Sequence, residues 1–247
     1  VVEEVKKCIV LIEDAYRRLG ITEYRYRLSL HDPKDTEKYV RNPGLWKQAE
    51  DELRRVFAEL DLPYIEGVGE AAFYGPKIDI QLRNVLGREE TVSTVQVDRH
   101  LPERFELEFI GEDSKVHRPV MIHRGYLSTM ERLVSFLIEH YAGAFPLWLA
   151  PEQLRILPIA DRHTVWCEEL KTALAAAGFR VTVDGRSEKT GKKVAEAQVA
   201  KIPYMLVVGD RDIEAGNVSV RSREQGDLGP RPIAQLIADL KAEIAAV

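Results

Sequence analysis

Long apolar runs are absent from this sequence, and cysteine is scarce. No stretch approaches the roughly 18 consecutive apolar residues of a transmembrane helix, so we expect no membrane partner. The two cysteines, Cys8 and Cys167, stand far apart and lack the CxxC spacing of metal and redox motifs. This favours free thiols in a cytoplasmic protein over a disulfide framework. The first residues, VVEEVKKCIVLIEDAY, are amphipathic, acidic and unlike a signal peptide, and the missing initiator Met suggests a fragment of a longer product.

A surplus of basic residues is missing as well. The net charge is −5, and residues 150–247 contain 14 basic and 14 acidic side chains. The total charge therefore does not indicate nucleic-acid binding, and any such contact must use a local basic patch. A length of 247 residues with 45% hydrophobic content suits two compact globular domains.

The apolar periodicity changes character along the chain. In the first part it predicts helices over residues 1–19 and 42–60 and strands over Tyr24–His31, Ala71–Tyr74, Ile78–Arg83, Glu89–Asp98, Phe105–Ile110 and Pro119–Ile122. Sequential strands with few crossover helices indicate an antiparallel sheet. In the second part the pattern becomes β-α-β-α, with strands at Leu154–Ile159, Arg180–Asp184, Tyr204–Val208 and Asn217–Ser222 and helices at His163–Ala177, Thr190–Lys201 and Ile233–Ala246. We predict an α+β fold, with an antiparallel domain over residues 1–147 and an α/β domain over residues 148–247.

Residues 117–132, HRPVMIHRGYLSTMER, carry the densest chemistry. An apolar strand leads into His123, a turn of small residues follows at Gly125, Ser128 and Thr129, and Glu131 and Arg132 open a helix predicted over Leu133–Tyr141. We expect this strand-to-helix corner to bring an imidazole, a hydroxyl and a guanidinium to one crevice. Such a set suits a metal ion, a polar substrate and a phosphate.

This stretch resembles motif 3 of the class II aminoacyl-tRNA synthetases, in the form that threonyl-tRNA synthetases carry. Further segments are similar to the same family in the same order: AFYGPKIDIQL, STVQVD, LPERF, IGED, EHYAGAFPLWLAPEQ and IPYMLVVGD. The resemblance covers essentially the whole chain. It implies the C-terminal half of a class II catalytic domain followed by an anticodon-binding domain. The implied activity is threonine–tRNA ligation, with threonine, Mg²⁺-ATP and tRNA as partners and a homodimer as the assembly.

The resemblance also implies roles for residues of the first domain. His123 matches one of three zinc ligands, the other two lying outside these residues, and Arg132 matches the arginine that clamps ATP. Without the resemblance, His123 is an ordinary structural residue at a strand end, and Arg132 a solvated residue opening a helix. Lys77 matches a catalytic position close to the substrate, although a lysine after Gly-Pro also suits an exposed hairpin. Substrate-binding positions match Tyr74, Thr94, Gln96 and Thr129.

In the second domain the loop DGRSEKTGKK, residues 184–193, is basic and enters a helix. Helix N-termini and basic side chains favour phosphate, but a solvated charge run fits this loop equally well. The resemblance places Ser187 and Lys189 on anticodon-contacting positions. It also matches Arg221 to a base-contacting arginine and Asp212 to an acidic position of the same surface.

The chain departs from the family at several of these places. Glu90, Thr91 and Val92 stand where many members have Trp-Gln-Cys, and Ser128 stands where glycine is common. Motifs 1 and 2 would lie upstream of Val1. Our first hypothesis is therefore a fragment of a threonine–tRNA ligase that is inactive alone. The alternative is a non-catalytic synthetase-like paralogue that binds tRNA or regulates a partner, and a weaker third is an anticodon-like module with a vestigial half-domain.

Overall fold

The computed structural model describes every residue from Val1 to Val247, in two compact units, Val1–Phe136 and Leu137–Val247. The elements that begin in the first unit are, in chain order, α1 (Val2–Arg18), β1 (Tyr24–Leu30), α2 (Pro43–Leu60), β2 (Tyr64–Val68), β3 (Lys77–Arg83), β4 (Glu89–Asp98), α3 (His100–Arg104), β5 (Phe109–Ile110), β6 (Val116–His117), β7 (Met121–Gly125) and α4 (Met130–His140). The division after Phe136 falls inside α4. The domain boundary between residues 147 and 148 stays a prediction.

A five-stranded sheet in the order β2-β1-β3-β4-β7 forms the centre of the first unit. Every neighbouring pair in it is antiparallel except β1 and β2, which are parallel. The prediction of an antiparallel sheet is confirmed apart from this one edge. β5 and β6 form a separate two-stranded ribbon.

Two of the predicted strands are wrong. Residues 71–74 form a turn closed by a single bridge between Ala72 and Gly75. A Cβ on Gly75 would collide with the Val97 carbonyl oxygen, so the glycine lets this turn lie directly against β4. In the segment predicted as a strand from Phe105, only Phe109–Ile110 is extended, because the chain first leaves α3 through a turn with Glu106 at φ 53°.

The two faces of the first sheet differ in chemistry. Its apolar face, which includes Leu28, Ile78, Ile80, Val95 and Val97, is fully buried. The helices α1 and α2 pack on the sheet and on each other, and their buried side chains repeat with helical spacing. Because side chains alternate along a strand, the intervening residues all point to the opposite face.

The second unit is built on another five-stranded sheet. Its elements are β8 (Leu154–Pro158), α5 (Thr164–Ala176), β9 (Val181–Val183), α6 (Thr190–Val199), β10 (Tyr204–Val208), α7 (Asp210–Ala215), β11 (Asn217–Ser222), β12 (Gly226–Pro232) and α8 (Ile233–Ala245). The strand order is β12-β11-β10-β8-β9, with β8 parallel to β9 and β10, and with β11 antiparallel to its two neighbours. The α/β prediction is confirmed. No helix of the chain combines the length and the apolar character needed to cross a membrane.

Helices cover both faces of this second sheet. On one face, Ile156 and Leu206 pack with Cys167 of α5 and Leu240 of α8. On the other, Leu157 and Met205 pack with Ala197 of α6. The edge strand β12 and the short helix α7 were not predicted. β12 contains Pro230 and Pro232, which donate no ladder hydrogen bond and therefore suit an edge.

Candidate functional site

The face of the first sheet opposite α1 and α2 carries a row of polar side chains. The strand register places Ser29 beside Lys77, Lys77 beside Gln96, and Gln96 beside His123. Two residues further along β3, on the same face, Asp79 lies beside Thr94, and Thr94 lies beside Gly125. Directly paired residues share a face, so Lys77, Thr94, Gln96 and His123, four of the predicted site residues, lie on one surface.

A buried carboxylate forms the centre of one part of this face. Asp79 is fully buried and accepts hydrogen bonds from Lys77 Nζ at 2.8 and 3.0 Å, Ser29 Oγ at 2.7 Å and Arg27 Nη2 at 3.0 Å. Burial alone would raise the pKa of Asp79. The hydrogen bonds from Lys77 and Ser29, the Lys77 charge and the Arg27 contact outweigh burial and hold that pKa below its usual value. Lys77 is thereby oriented by an anion that stays ionised.

A second cluster surrounds the imidazole of His123. Its Nε2 lies 2.9 Å from Oδ2 of Asp98, a residue with no exposed surface. The ring of Tyr74 lies 5.2 Å from the imidazole, centroid to centroid, and the Tyr74 hydroxyl donates to Oε1 of Gln96. Burial first, and the Asp98 charge second, raise the pKa of Tyr74, so its hydroxyl keeps its proton. Three predicted site residues, Tyr74, Gln96 and His123, therefore lie together.

Thr94 has a different status on the same face. Its Oγ1 is buried and has no hydrogen-bond partner within the protein. Its methyl group lies so near Gly125 that a Cβ there would come within 3.0 Å of it. A buried hydroxyl without a partner is uncommon in a folded protein, so Thr94 stands out from the other polar residues of this face.

The strand-to-helix corner after β7 carries the remaining two predicted residues. Thr129 Oγ1 accepts a hydrogen bond from the Arg132 backbone N–H at 3.4 Å, at the first turn of α4. The guanidinium of Arg132 lies 3.7 Å from the Glu90 carboxylate, with both side chains about half exposed. Arg132 thus faces the start of β4, while His123 lies beside its end. The single crevice expected from the sequence stays a prediction.

The backbone at Ser128 lies in a conformation that suits the glycine common at this position in the family. Its φ is 61°, in the left-handed region that favours glycine. The glycine common at this position in the family fits such a backbone without strain. In this chain a serine adopts that backbone.

The metal-binding capacity of these residues is small. The chain contains no group of three or more His, Cys, Asp or Glu side chains that could hold a metal ion. His123 by itself suits one coordination position, since Nε2 is engaged by a carboxylate and Nδ1 has no protein partner. Metal-binding histidines are commonly held in this way. These residues thus do not form a metal site by themselves.

In the second unit, a cavity of about 370 Å³ lies beside the start of α6. Its lining comprises Thr190, Gly191, Val194, Val207, Ser219, Arg221 and Asp227. Arg221 Nη1 lies 3.1 Å from Asp227 Oδ2, and Arg221 Nε is buried without a partner. Arg221 is therefore held at the cavity with donor capacity left over.

Most of the cationic side chains in the basic loop before α6 are already paired or buried. Arg186 pairs with Asp184 and Glu196, and Lys192 pairs with Glu188, at 2.6 Å in each case. Lys193 is buried and donates to the Pro158 carbonyl at 3.1 Å. Lys189, by contrast, is exposed at the N-terminus of α6 and contacts no carboxylate. It is the cation of the loop that is available to a ligand.

The other two predicted residues of the second unit differ from each other. Ser187 is exposed on the loop. Asp212 instead accepts from the Gly209 N–H at 2.9 Å and from Ser219 Oγ at 2.8 Å, so one of its oxygens caps the start of α7 and the other holds a side chain of β11. Asp212 is thereby fixed, and it orients Ser219 at the cavity.

Sequence reasoning missed the acidic partners of the predicted residues, namely Asp79, Asp98 and Asp227. Asp79 had a signal, because it stands two residues after Lys77 on one strand face. Asp98 contacts His123 only through the pairing of β4 with β7, and Asp227 lies on a strand that was not predicted.

Two family models match the chain. The tRNA synthetase class II core domain (G, H, P, S and T) matches residues 1–141, and the anticodon binding domain matches residues 153–243. The threonine–tRNA ligase of Geobacillus sp. (strain WCH70) is 51% identical over 243 residues, which are 98% of this chain and 38% of that protein. The threonine–tRNA ligase of Listeria monocytogenes serovar 1/2a is 49% identical over 244 residues, again 98% of this chain and 38% of that protein. The chain thus spans under two fifths of the length of these relatives.

A solved structure agrees with the sequence matches. The RNA binding domain of threonyl-tRNA synthetase from Cryptosporidium parvum Iowa II aligns with a TM-score of 0.90 at 31% identity, over 98% of this chain and 60% of that one. The chain therefore belongs to the class II aminoacyl-tRNA synthetases, with the core domain of that family in residues 1–141 and an anticodon-binding domain in residues 153–243.

Proposed function

We propose that this chain is part of a threonine–tRNA ligase, which activates threonine with ATP and transfers it to tRNA. The observation that carries the proposal is the polar face of the first sheet, where Lys77, Thr94, Gln96 and His123 lie in one register. The similarity to threonine–tRNA ligases over 98% of the chain supports it. As part of such an enzyme the chain would work in the cytoplasm, within a homodimer.

On this proposal the face binds threonyl-adenylate. The unpartnered Thr94 hydroxyl and the linked Tyr74 and Gln96 supply polar contacts for the amino acid. Lys77, held by an ionised Asp79, offers a fixed positive charge to the phosphoryl oxygens. Arg132, on α4, would clamp Mg²⁺-ATP through its planar fork, with Thr129 at the same helix start. The reaction needs positioning and charge stabilisation more than covalent chemistry from the protein.

His123 is the zinc ligand that this chain would contribute. Zinc with an open coordination position would bind the threonine hydroxyl, a contact that valine cannot make although it has the same shape. The structure supports the role through the arrangement of the imidazole, with Nε2 on a carboxylate and Nδ1 open. The remaining ligands would come from outside these residues.

The second unit would bind the anticodon. Lys189 and Ser187 are exposed on the loop that enters α6, and Arg221 lines the adjoining cavity with an unpartnered Nε. Cations at a helix N-terminus suit backbone phosphate, and an arginine beside a carboxylate suits the edge of an unstacked base. Asp212 contributes by holding Ser219 at the cavity.

RNA binding by the chain itself tests this part of the proposal. We expect the anticodon stem-loop of threonine tRNA to bind residues 1–247, measured by fluorescence anisotropy at about 0.1 M salt. Lys189→Ala should weaken binding severalfold and lower the salt dependence by about one counterion, because one phosphate contact is lost. Arg221→Ala should cost about 1–3 kcal/mol, as expected for a base-contacting arginine.

Lys192→Ala is the matched control. Lys192 is on the same helix, but its ammonium lies 2.6 Å from the Glu188 carboxylate. We expect this variant to bind almost as the wild type does. Equal losses for Lys189→Ala and Lys192→Ala, or wild-type affinity in Arg221→Ala, would contradict the assignment.

Without motifs 1 and 2, we expect residues 1–247 to show no threonine-dependent pyrophosphate exchange. Robust exchange by the purified chain would contradict that expectation. The second candidate function, a non-catalytic synthetase-like paralogue, is favoured by one observation. Glu90, a departure from the family, lies 3.7 Å from the guanidinium of Arg132 and forms an ion pair with it. If this contact prevents ATP binding, a protein that also contains an upstream half with motif 2 should show exchange only after Glu90→Gln has released Arg132.

A further inference from the structure

The buried carboxylate of Asp98 contacts His123 and has no role in the activity described so far. It is fixed by the backbone as well as by the imidazole. Oδ1 accepts the N–H groups of His100 and Leu101, each at 2.9 Å, at the start of α3. Oδ2 is thereby left for Nε2 of His123, at 2.9 Å. A carboxylate oxygen offers acceptor lone pairs and no N–H, so Oδ2 faces Nε2 as a hydrogen-bond acceptor.

We propose that Asp98 is the positioning residue of His123, fixing its Nε2–H tautomer and leaving Nδ1 as the ring nitrogen that can bind a ligand. The use of Nδ1 toward a metal rests on the proposed function; the tautomer itself does not. A neutral imidazole carries one N–H and one lone pair, and the partner of one nitrogen decides which is which. Asp98 accepts only, so Nε2 must donate.

The other neighbours of the imidazole do not compete for this role. Tyr74 contacts the ring through its own ring, at 5.2 Å between centroids, and directs its hydroxyl to Gln96. Gln96 uses Oε1 for that contact, across the strand from His123. Asp98 is thus the charged group that hydrogen-bonds the imidazole.

A single substitution should reverse the tautomer. In Asp98→Asn the side-chain oxygen is still required by the N–H groups of His100 and Leu101. The amide NH₂ then faces Nε2, which must accept, and the ring proton moves to Nδ1. Shape and helix capping are retained, so the variant changes the proton position with little change in packing.

The experiment uses the chain of residues 1–247 labelled with ¹⁵N-histidine, at about pH 8, above the ordinary histidine pKa of about 6.5. Long-range ¹H–¹⁵N spectra separate protonated from unprotonated ring nitrogens, and loss of one signal set in His123→Gln assigns the residue. We expect an Nε2–H tautomer in the wild type and Nδ1–H in Asp98→Asn. Nδ1–H in the wild type overturns the proposal without any variant, and so does an unchanged tautomer in Asp98→Asn.

Asp113→Asn is the matched control. Asp113 Oδ1 lies 2.8 Å from Nε2 of His117, and both side chains are nearly half exposed. This variant removes a carboxylate from another imidazole and should leave the His123 signals in place. A change of the His123 tautomer in Asp113→Asn would show that the readout does not report Asp98.

Zinc chloride added to the same samples tests the use of the free nitrogen. Because these residues supply a single ligand, we expect a weak His123 response to zinc in the wild type, at Nδ1, and a weaker response at the same zinc concentration in Asp98→Asn. A response at Nε2, or equal responses in the two proteins, contradicts the use of Nδ1 toward a metal. If His123 does not respond to zinc while Asp98 still sets the tautomer, the positioning role stands and the zinc role of the proposed function fails.

Discussion

The two sheets of this chain differ in how many faces their helices cover. In the first unit α1 and α2 lie on one face only, and the other face presents charged and polar side chains. In the second unit α5 and α8 cover one face and α6 covers the other. Polar groups can therefore line a whole sheet face in the first unit, whereas in the second they lie at a strand edge and a helix start.

This difference also decides which unit carries fully buried carboxylates. The polar face of the first sheet contains two carboxylates with no exposed surface, Asp79 and Asp98. Their stability depends on donors supplied by neighbouring strands, because a buried charge without partners is costly. The Arg221–Asp227 pair of the second unit is more exposed, with 32% and 62% of the two side chains accessible, and contributes little to folding.

The largest expected effect is that of Asp79→Asn. The substitution keeps the shape but leaves Lys77 and Arg27 close together without their anion. We expect a loss of about 3 kcal/mol, as for a broken buried ion pair. Hydrogen exchange of peptides from β3 and β4 measures the loss, and peptides from β10 and β11 serve as the internal reference.

Asp227→Asn makes the same chemical change in the second unit. Its partner Arg221 remains partly solvated, so we expect a change below about 0.5 kcal/mol in the β10 and β11 peptides. Similar losses in the two variants would mean that the units do not differ in what their carboxylates contribute to stability, and the comparison would fail.

Much of this contrast between the two sheets could be predicted from residue patterns. The acidic partners of the predicted site residues could not. β4, β10 and β11 have the predicted bounds, because their alternating or uniformly apolar residues leave one choice of period. β2 and β12 were missed because YIEGV and GDLGPRP carry glycine or proline and lie at sheet edges, where neither shows a clear apolar alternation. Lys77 and His123 were predicted as functional residues from the sequence. The contacts of Asp79 and Asp98 depend on strand pairing, which a linear pattern does not contain.

Acid should act on the first unit through the same carboxylate. The pKa of Asp79 is lower in the folded chain than its ordinary value of about 3.9. The stabilisation is therefore complete above about pH 4 and is lost as the pH falls through the lower, folded-state pKa. We expect β3 and β4 in the wild type to lose protection on acidification below about pH 4.

Asp79→Asn is the control for this acid effect, since it has no carboxylate to protonate at that position. Its β3 and β4 peptides should show a shallower pH dependence than those of the wild type below about pH 4. Parallel curves would mean that other carboxyl groups account for the acid sensitivity, and that the Asp79 cluster is not what distinguishes the first sheet.

Small effects are also expected at two turns with the same backbone geometry and opposite residue choices. Ser128 in the first unit has φ 61°, and Gly216 in the second has φ 63° with open space where a Cβ would lie. Ser128→Gly removes left-handed strain of about 1–2 kcal/mol but adds about 0.5–1 kcal/mol of unfolded-state entropy, so we expect a net gain of about 0.5 kcal/mol. Gly216→Ala reverses both contributions and should destabilise the second unit by a similar amount, since no clash adds to the backbone cost. Hydrogen exchange in each unit measures the pair, and a gain in both variants would show that the left-handed backbone is not what these two turns share.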